Sequence, residues 1–353
     1  MSGSNRPVTV WRLLLTLLCL AIVLVVCDPI VGLLARRFYP EPPYILLDLP
    51  SFYGLDRFWQ MTDAGQKPIV FTGSSMVFHG VSPHVFDSSI ATLTGKSVVS
   101  VDVGVTGQTS DIARDLVQNI FIPKGASAIF YTTEMRAYAA RITLASYQRS
   151  PLGYIMQFEP GLRKTLGLWL LQHSALARYH NNIHDLLTGA RPIEYGVGYY
   201  NVLDDRGHAS AWDVQDATLS MPIPNDFTPL KIEAPYQAAL TEIATACQQS
   251  NTPCIVVNMP LHRTLYQVIP TTELAQFRTM ILESLGKGKA AFWDFNTDSC
   301  IAWLGDKSFL DRDHLNEPGA KKFTYLLAVL YAHQFMGQPI PAESPVDCAY
   351  RSS

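Results

Sequence analysis

Near its C-terminal end the chain reads Asp311-Arg312-Asp313-His314-Leu315-Asn316, immediately before Glu317-Pro318-Gly319 and a long apolar-periodic run. A carboxylate three residues ahead of a histidine, on a short turn feeding a helix, offers an imidazole held by an acid in one local unit. An acid on one ring nitrogen fixes the tautomer that leaves the other nitrogen free to act as a base. Such a base needs a nucleophile, and Ile69-Val70-Phe71-Thr72-Gly73-Ser74-Ser75 supplies one, as an apolar strand that ends in small residues. A serine hydroxyl is weakly nucleophilic until a base takes its proton. Ser75, His314 and Asp311 are therefore candidates for nucleophile, general base and orienting acid in acyl transfer. Each alone has a plainer reading, since Gly-Ser-Ser is commonly only a turn and a lone histidine commonly only solvated. Their weight comes from falling at the ends of successive predicted strands.

Five short apolar, β-branched runs (68–72, 97–103, 127–132, 254–258 and 290–295) alternate with helical patterns over 110–121, 235–249 and 318–335. Near-continuous hydrophobicity predicts strands buried on both faces, and alternation with helices predicts a doubly wound parallel α/β sheet. Pro235 and Pro318 suit first helical turns, where no N–H is missed. In such a sheet ligands gather outside the carboxyl ends of the strands. Ser75 follows the first strand, Gly104 and Gly107 the second, Glu134 and Arg136 the third, and His262 the fourth. Asp311 and His314 come after the fifth.

With 353 residues the chain can bury one large core or two modest ones. A net charge of −3 provides no basic footprint, so nucleic acid is not expected as a partner. Residues 13–27 are apolar or neutral, flanked by Arg6 and Arg12 before and by Arg36 and Arg37 after, with Asp28-Pro29 interrupting. The segment approaches the roughly 20 residues of a spanning helix. No small-residue cleavage site follows it, and bulky Val26 before Cys27 argues against lipid attachment, so an uncleaved signal anchor is expected. The flanking arginines oppose one another as orientation signals. Outside the anchor, Cys247, Cys254, Cys300 and Cys348 could form two bridges in an oxidising compartment or remain thiols; they are not spaced as a zinc site. The expected organisation is an anchor over 1–38, a stiff proline-rich spacer over 39–66, a catalytic domain over 67–338 and a tail over 339–353. An aromatic-rich insertion at 139–227, between the third and fourth strands, reads as a cap. Its helical pattern over 166–187 carries His173, His180 and His184, a polar stripe in preference to a metal site. Trp169, Tyr199 and Tyr200 could stack on sugars but read better as the insertion's own core.

Gly73-Ser74-Ser75 resembles the first block of the SGNH, or GDSL-type, hydrolases, with Ser74 where that block has Asp. Asp102-Val103-Gly104-Val105-Thr106-Gly107-Gln108-Thr109 is similar to their second block, Asn-x-Gly-x-Ser-Gly-x-Thr, and Asp311-Arg312-Asp313-His314 to the terminal Asp-x-x-His block. The resemblance runs in block order over about 67–335, the insertion aside. It implies a flavodoxin-like five-stranded sheet, catalysis by Ser75, His314 and Asp311 without metal or organic cofactor, and an oxyanion hole from the N–H groups of Ser75 and Gly107. The third block departs: where the family has an Asn donor this chain has Thr132-Thr133-Glu134-Met135-Arg136, and an ionised carboxylate cannot donate. Either Arg136 or Thr133 supplies the donor, or Glu134 pairs with Arg136 to shape a different site. His262 is a candidate substrate contact, and His79 and His84 could shape the pocket.

With the anchor, these blocks resemble the membrane-anchored branch that includes DltD-like and alginate-acetylation proteins. That resemblance implies a periplasmic or otherwise extracytoplasmic esterase or O-acyltransferase. Its substrate would be acyl, above all acetyl, esters of envelope or exported carbohydrate, handled beside a multispanning membrane O-acyltransferase. The competing expectation is a catalytically degenerate domain that binds glycan or scaffolds an acyltransferase complex. A flavodoxin-like cofactor protein is disfavoured, because the first strand lacks a phosphate-cradling glycine loop.

Overall fold

A computed structural model of the chain describes residues 6–38, 49–105, 107–138, 151–178, 204–209, 229–286 and 290–352. It divides into two compact units, Met1–Leu46 with Ser146–Glu194, and Leu47–Ala145 with Tyr195–Ser353. The first unit opens on α1 (Arg6–Ile22), a π-turn at Val23–Cys27 and α2 (Asp28–Phe38). Pro29 lacks the N–H that would bond four residues back, and its ring crowds the carbonyl there, which accounts for the widened turn just before it. Within this run Val10–Leu33 is long and apolar enough to cross a membrane.

The second unit begins with α3 (Leu49–Asp63), β1 (Ile69–Thr72), α4 (Ser75–Gly80), α5 (Pro83–Thr94), β2 (Ser100–Asp102), α6 (Ser110–Leu116) and β3 (Ala128–Thr133). The first unit contributes α7 (Pro151–Met156) and α8 (Leu162–His173) between β3 and β4. The second unit resumes with α9 (Ala234–Ser250), β4 (Cys254–Asn258), α10 (Arg263–Tyr266), α11 (Thr271–Leu285), β5 (Ala291–Asp294), α12 (Asp298–Leu304), α13 (Glu317–Met336) and β6 (Tyr350–Ser352).

The sheet has the order β2-β1-β3-β4-β5-β6, with β1 to β5 parallel and Val70 level with Val101 and Ile129. Every residue of β1 to β5 is buried, as expected of strands covered on both faces. Phe130 packs against Phe71 (4.7 Å between ring centroids), Phe86 and Trp293 at the centre of the core. The chain leaves β1 for β2 on one side and returns to β3 on the other, so the topological switch lies between β1 and β3, where open α/β sheets place their ligands.

Three expectations need correction. The sheet has six strands rather than five: β6, from the stretch read as a tail, runs antiparallel to β5. Its residues are polar or exposed and show no apolar alternation; pairing with β5 and the Cys300–Cys348 disulfide hold them in place. The stretch read as a spacer contains α3, whose Leu55, Phe58 and Trp59 are buried. Proline restricts only its own residue and the one before it, and the apolar residues beyond the prolines fold into the core. The insertion's helix starts earlier than expected, as α8, and is interrupted at Ser174 before helix resumes over 175–178, while Trp169 on α8 is 54% exposed instead of forming a local core. His180, His184, Tyr199 and Tyr200 lie outside the described residues. The two cysteine pairs are bridged, Cys247 with Cys254 and Cys300 with Cys348.

Candidate active site

At the end of β1 the chain must slip past β3. A Cβ on Gly73 would sit 1.8 Å from Thr132 Oγ1 and 2.6 Å from its carbonyl oxygen, so only glycine passes. Ser74 then caps α4, its hydroxyl accepting from the Met76 N–H at 3.4 Å. Ser75 is thereby the first helical residue, where no intrahelical carbonyl is available to its N–H, and its side chain is half-buried while Met76 to Gly80 are buried. The turn after β2 is tied to this one, the Val105 N–H donating to the Gly73 carbonyl at 2.8 Å. Gly107 follows in the left-handed region (φ 67°) in a turn closed by Gln108 N–H to Val105 O at 2.8 Å.

The Asp-x-x-His segment is a tight loop. Phe309 and Leu315 bridge across it, and the Leu310 N–H donates to the His314 carbonyl at 2.8 Å. Asp311 Oδ1 accepts from the N–H groups of Asp313 (3.0 Å) and His314 (2.8 Å), so the backbone of the motif itself aims the carboxylate. His314 Nδ1 lies 2.9 Å from Asp311 Oδ2, and its Nε2 lies 2.7 Å from Ser75 Oγ. Asn316 caps α13 by accepting from Gly319 N–H at 3.0 Å, and Gly319 presses so close to the Ser308 carbonyl that a Cβ would lie 2.0 Å from its oxygen. The structure thus brings Ser75, His314 and Asp311 into one hydrogen-bonded row from positions 239 residues apart.

The electrostatics of this row are unequal. Burial pushes the His314 imidazolium toward losing its proton, but the carboxylates of Asp313 and Asp311 outweigh it and raise its pKa to about 9. Burial alone would raise the pKa of Asp311; the His314 charge and the hydrogen bonds from His314 and the loop backbone instead hold it well below the usual carboxylate range. His79, on α4, meets the His314 ring edge-on at 5.3 Å and is bonded through Nδ1 to the Ala209 carbonyl at 3.0 Å. Burial, and then the charge on His314, lower its pKa to about 3, so it stays neutral beside the base.

The altered third block resolves in favour of pairing. Arg136 donates through Nε to Glu134 Oε2 at 2.5 Å and also pairs with Asp313. Thr133 is turned away, its hydroxyl donating to Tyr138 Oη at 3.0 Å. Asp313 stands with Oδ1 3.6 Å from His314 Nδ1, so the Glu134, Arg136 and Asp313 cluster borders the base directly. Asp102, opening the second block, is fully buried. It accepts from Gly104 N–H at 2.9 Å, and burial raises its pKa well above the ordinary carboxylate value.

Other candidates lie elsewhere. His262 is buried and caps α10, with Nδ1 accepting from the Thr264 N–H at 3.2 Å and its ring edge-on to Phe309. Its backbone N–H donates to the Arg312 carbonyl at 2.8 Å, so it supports the Asp-x-x-His loop. His84 pairs with Asp205 at 2.5 Å, and His173 packs against Trp169. Donor atoms of Asp311, Asp313 and His314 lie close enough together to hold a metal, as do those of His84, Asp204 and Asp205. In the first group Asp313 is paired with Arg136, and His314 lies between Asp311 and Ser75. One buried pair carried no sequence signal. His208 lies 2.8 Å through Nδ1 from the Phe78 carbonyl and 2.9 Å through Nε2 from Glu317 Oε2, linking α4 to α13. A carbonyl can only accept, so Nδ1 donates to it.

No protein-family model matches the sequence, and a search of curated proteins finds no match. Among solved structures the chain is similar to the lipase/acylhydrolase from Enterococcus faecalis, at 12% identity over 78% of this chain and 99% of that one, with a TM-score of 0.36. A superposition this loose carries no weight for function, which is argued from the site itself.

Proposed function

We propose that this chain is a membrane-anchored, extracytoplasmic serine esterase or O-acyltransferase that moves acyl groups, above all acetyl, through an acyl-enzyme. The observation that carries the reading is the unbroken row from Ser75 Oγ through His314 to Asp311. In its neutral form His314 takes the hydroxyl proton as Ser75 Oγ attacks the acyl carbonyl. The N–H groups of Ser75 and Gly107 receive the developing oxyanion. His314 then passes its proton to the departing alkoxide, leaving an ester on Ser75. In the second half, water or a sugar hydroxyl gives its proton to His314, attacks that ester and regenerates the serine. Asp311 holds the ring and balances its charge throughout.

The apolar Val10–Leu33 run supports the membrane anchor, and two disulfides support an oxidising, extracytoplasmic setting. The carbohydrate substrate, the DltD-like or alginate-acetylation setting and a multispanning acyltransferase partner rest on the resemblance of the blocks. The second reading, a binding or scaffolding domain, is favoured by one observation: Glu134 is an acceptor, paired to Arg136, where the family has an Asn donor.

A serine-directed fluorophosphonate separates the two. It is expected to label the full chain in detergent, to fail on Ser75→Ala with melting temperature unchanged, and to act on a protein that turns over a simple acetyl ester. Equal labelling of Ser75→Ala contradicts the nucleophile assignment. A folded wild type that neither labels nor turns over supports the binding reading.

A further inference from the structure

In the first unit, α8 buries Leu171 at 1% exposure but leaves a second apolar face uncovered. Its Leu162, Leu166 and Trp169, spaced four and three apart and so on one helical face, are 83%, 51% and 54% exposed, while Lys164 and Gln172 are each only 8% exposed. Tyr154 on α7 adds a further apolar side chain at 55% exposure. A helix facing water places these residues the other way round.

The same helix is joined to the apolar N-terminal run. Ser174, the residue after α8, donates its hydroxyl to Asp28 Oδ1 at 2.6 Å, and the Leu176 N–H donates to the same oxygen at 2.9 Å. A Cβ on Gly32 would lie 3.4 Å from that of Ala175, which is ordinary contact. Asp28 therefore marks the level at which α8 meets the spanning segment. From Arg12 to Asp28 the helix rises about 24 Å at roughly 1.5 Å per residue, against a hydrocarbon core of about 30 Å. Asp28 thus falls near a polar boundary, and a carboxylate at that depth is found held by donors, as it is here. Trp169 is five residues before Ser174, about 8 Å along α8, so an α8 lying along the boundary holds it at the depth where Trp and Tyr concentrate.

We propose that α8 is an interfacial membrane helix, with its Leu162, Leu166 and Trp169 face set at the boundary between headgroups and acyl chains of the same bilayer that the N-terminal apolar run crosses. The occupant of this face is lipid: the spanning run of the same chain, hydrogen-bonded through Asp28 to the end of α8, keeps the exposed apolar stripe at that depth. Helices of this kind bury one face about 5–10 Å into the boundary region. The inference rests on the membrane-anchor reading above.

The test uses the full chain with Cys19→Ser and Cys27→Ser, carrying a nitroxide at Leu166→Cys or Trp169→Cys, in vesicles of phosphatidylcholine and phosphatidylglycerol. Collision rates are measured with oxygen, which concentrates in lipid, and with a water-soluble nickel chelate. A reference label at Leu18→Cys reports the spanning helix. The expected result is that oxygen dominates at 166 and 169, as it does at 18. Three results overturn the proposal. If the chelate dominates at 166 and 169 while oxygen dominates at 18, α8 lies in water although the anchor reading stands. If both probes are excluded at 166 and 169, protein covers the face, a second copy included. If the chelate dominates at 18 as well, the anchor reading itself falls.

Discussion

His314 has more negative charge beside it than its orienting aspartate supplies. Asp311 holds Nδ1 at 2.9 Å, and Asp313 stands 3.6 Å from the same atom. Arg136 offsets part of this by pairing with Asp313 and Glu134, and neutral His79 closes the far side of the ring. With a pKa raised to about 9, His314 is protonated at neutral pH in the free protein and becomes a base only as pH rises. Because kcat/KM reports free-enzyme groups, it is expected to climb with pH toward about 9 on an acyl ester. A nearby carboxylate favours the imidazolium, so Asp313→Asn should lower the apparent value by about 1 unit; Arg136→Gln removes a cation and should raise it. The profile of kcat/KM against pH for the three proteins checks this, and a profile that neither substitution moves shows that the cluster does not act on the base. The sign for stability follows from the same shift. The interactions of the His314 cation support the fold fully below about pH 6.5 and are lost as pH rises through about 9. At this scale the triad was legible because Asp311 and His314 share one short motif. Arg136 and Asp313, 177 residues apart, were visible only as types, and the His208 to Glu317 pair across α4 and α13 had no local signal.

Elements were legible where burial dictates composition. Strands covered on both faces must be apolar throughout, which is why β1, β3, β4 and β5 were readable to within two residues. Proline near the start of α9 and α13 marked those helices. What escaped was held by tertiary contact alone. β6 is a three-residue edge strand, polar or exposed, whose place depends on β5 and on the Cys300–Cys348 bridge. That bridge closes a loop with a sequence separation of 48. On the chain-entropy view its loss costs about 4 kcal/mol. The double substitution Cys300→Ser with Cys348→Ser should therefore lower the urea midpoint clearly while leaving the row of Ser75, His314 and Asp311 intact. An unchanged midpoint shows that β6 contributes nothing to the fold. α3 escaped for the opposite reason: its core-forming residues follow prolines whose influence on the backbone is strictly local.

For the whole molecule, sequence blocks spread from the first strand to the last helix converge on one sheet edge because the strand order reverses between β1 and β3. Gly73, Gly104 and Gly319 each occupy a spot where a side chain would collide with neighbouring protein atoms, so the same glycines that punctuate the sequence hold the site together. Among the described residues, the N-terminal run and α8 expose large apolar side chains that the second unit shows at only a few isolated positions, Val268, Tyr325 and Tyr350. The central claim is that Ser75 carries the acyl group. Acid-quenching the full chain in mid-turnover with an activated acetyl ester, then measuring intact mass and mapping the modified peptide, tests it most directly. The account predicts a mass gain of one acetyl group located on Ser75 and absent from Ser75→Ala. A folded protein that cleaves the ester with the acetyl group on another residue, or with the same gain in Ser75→Ala, would contradict it.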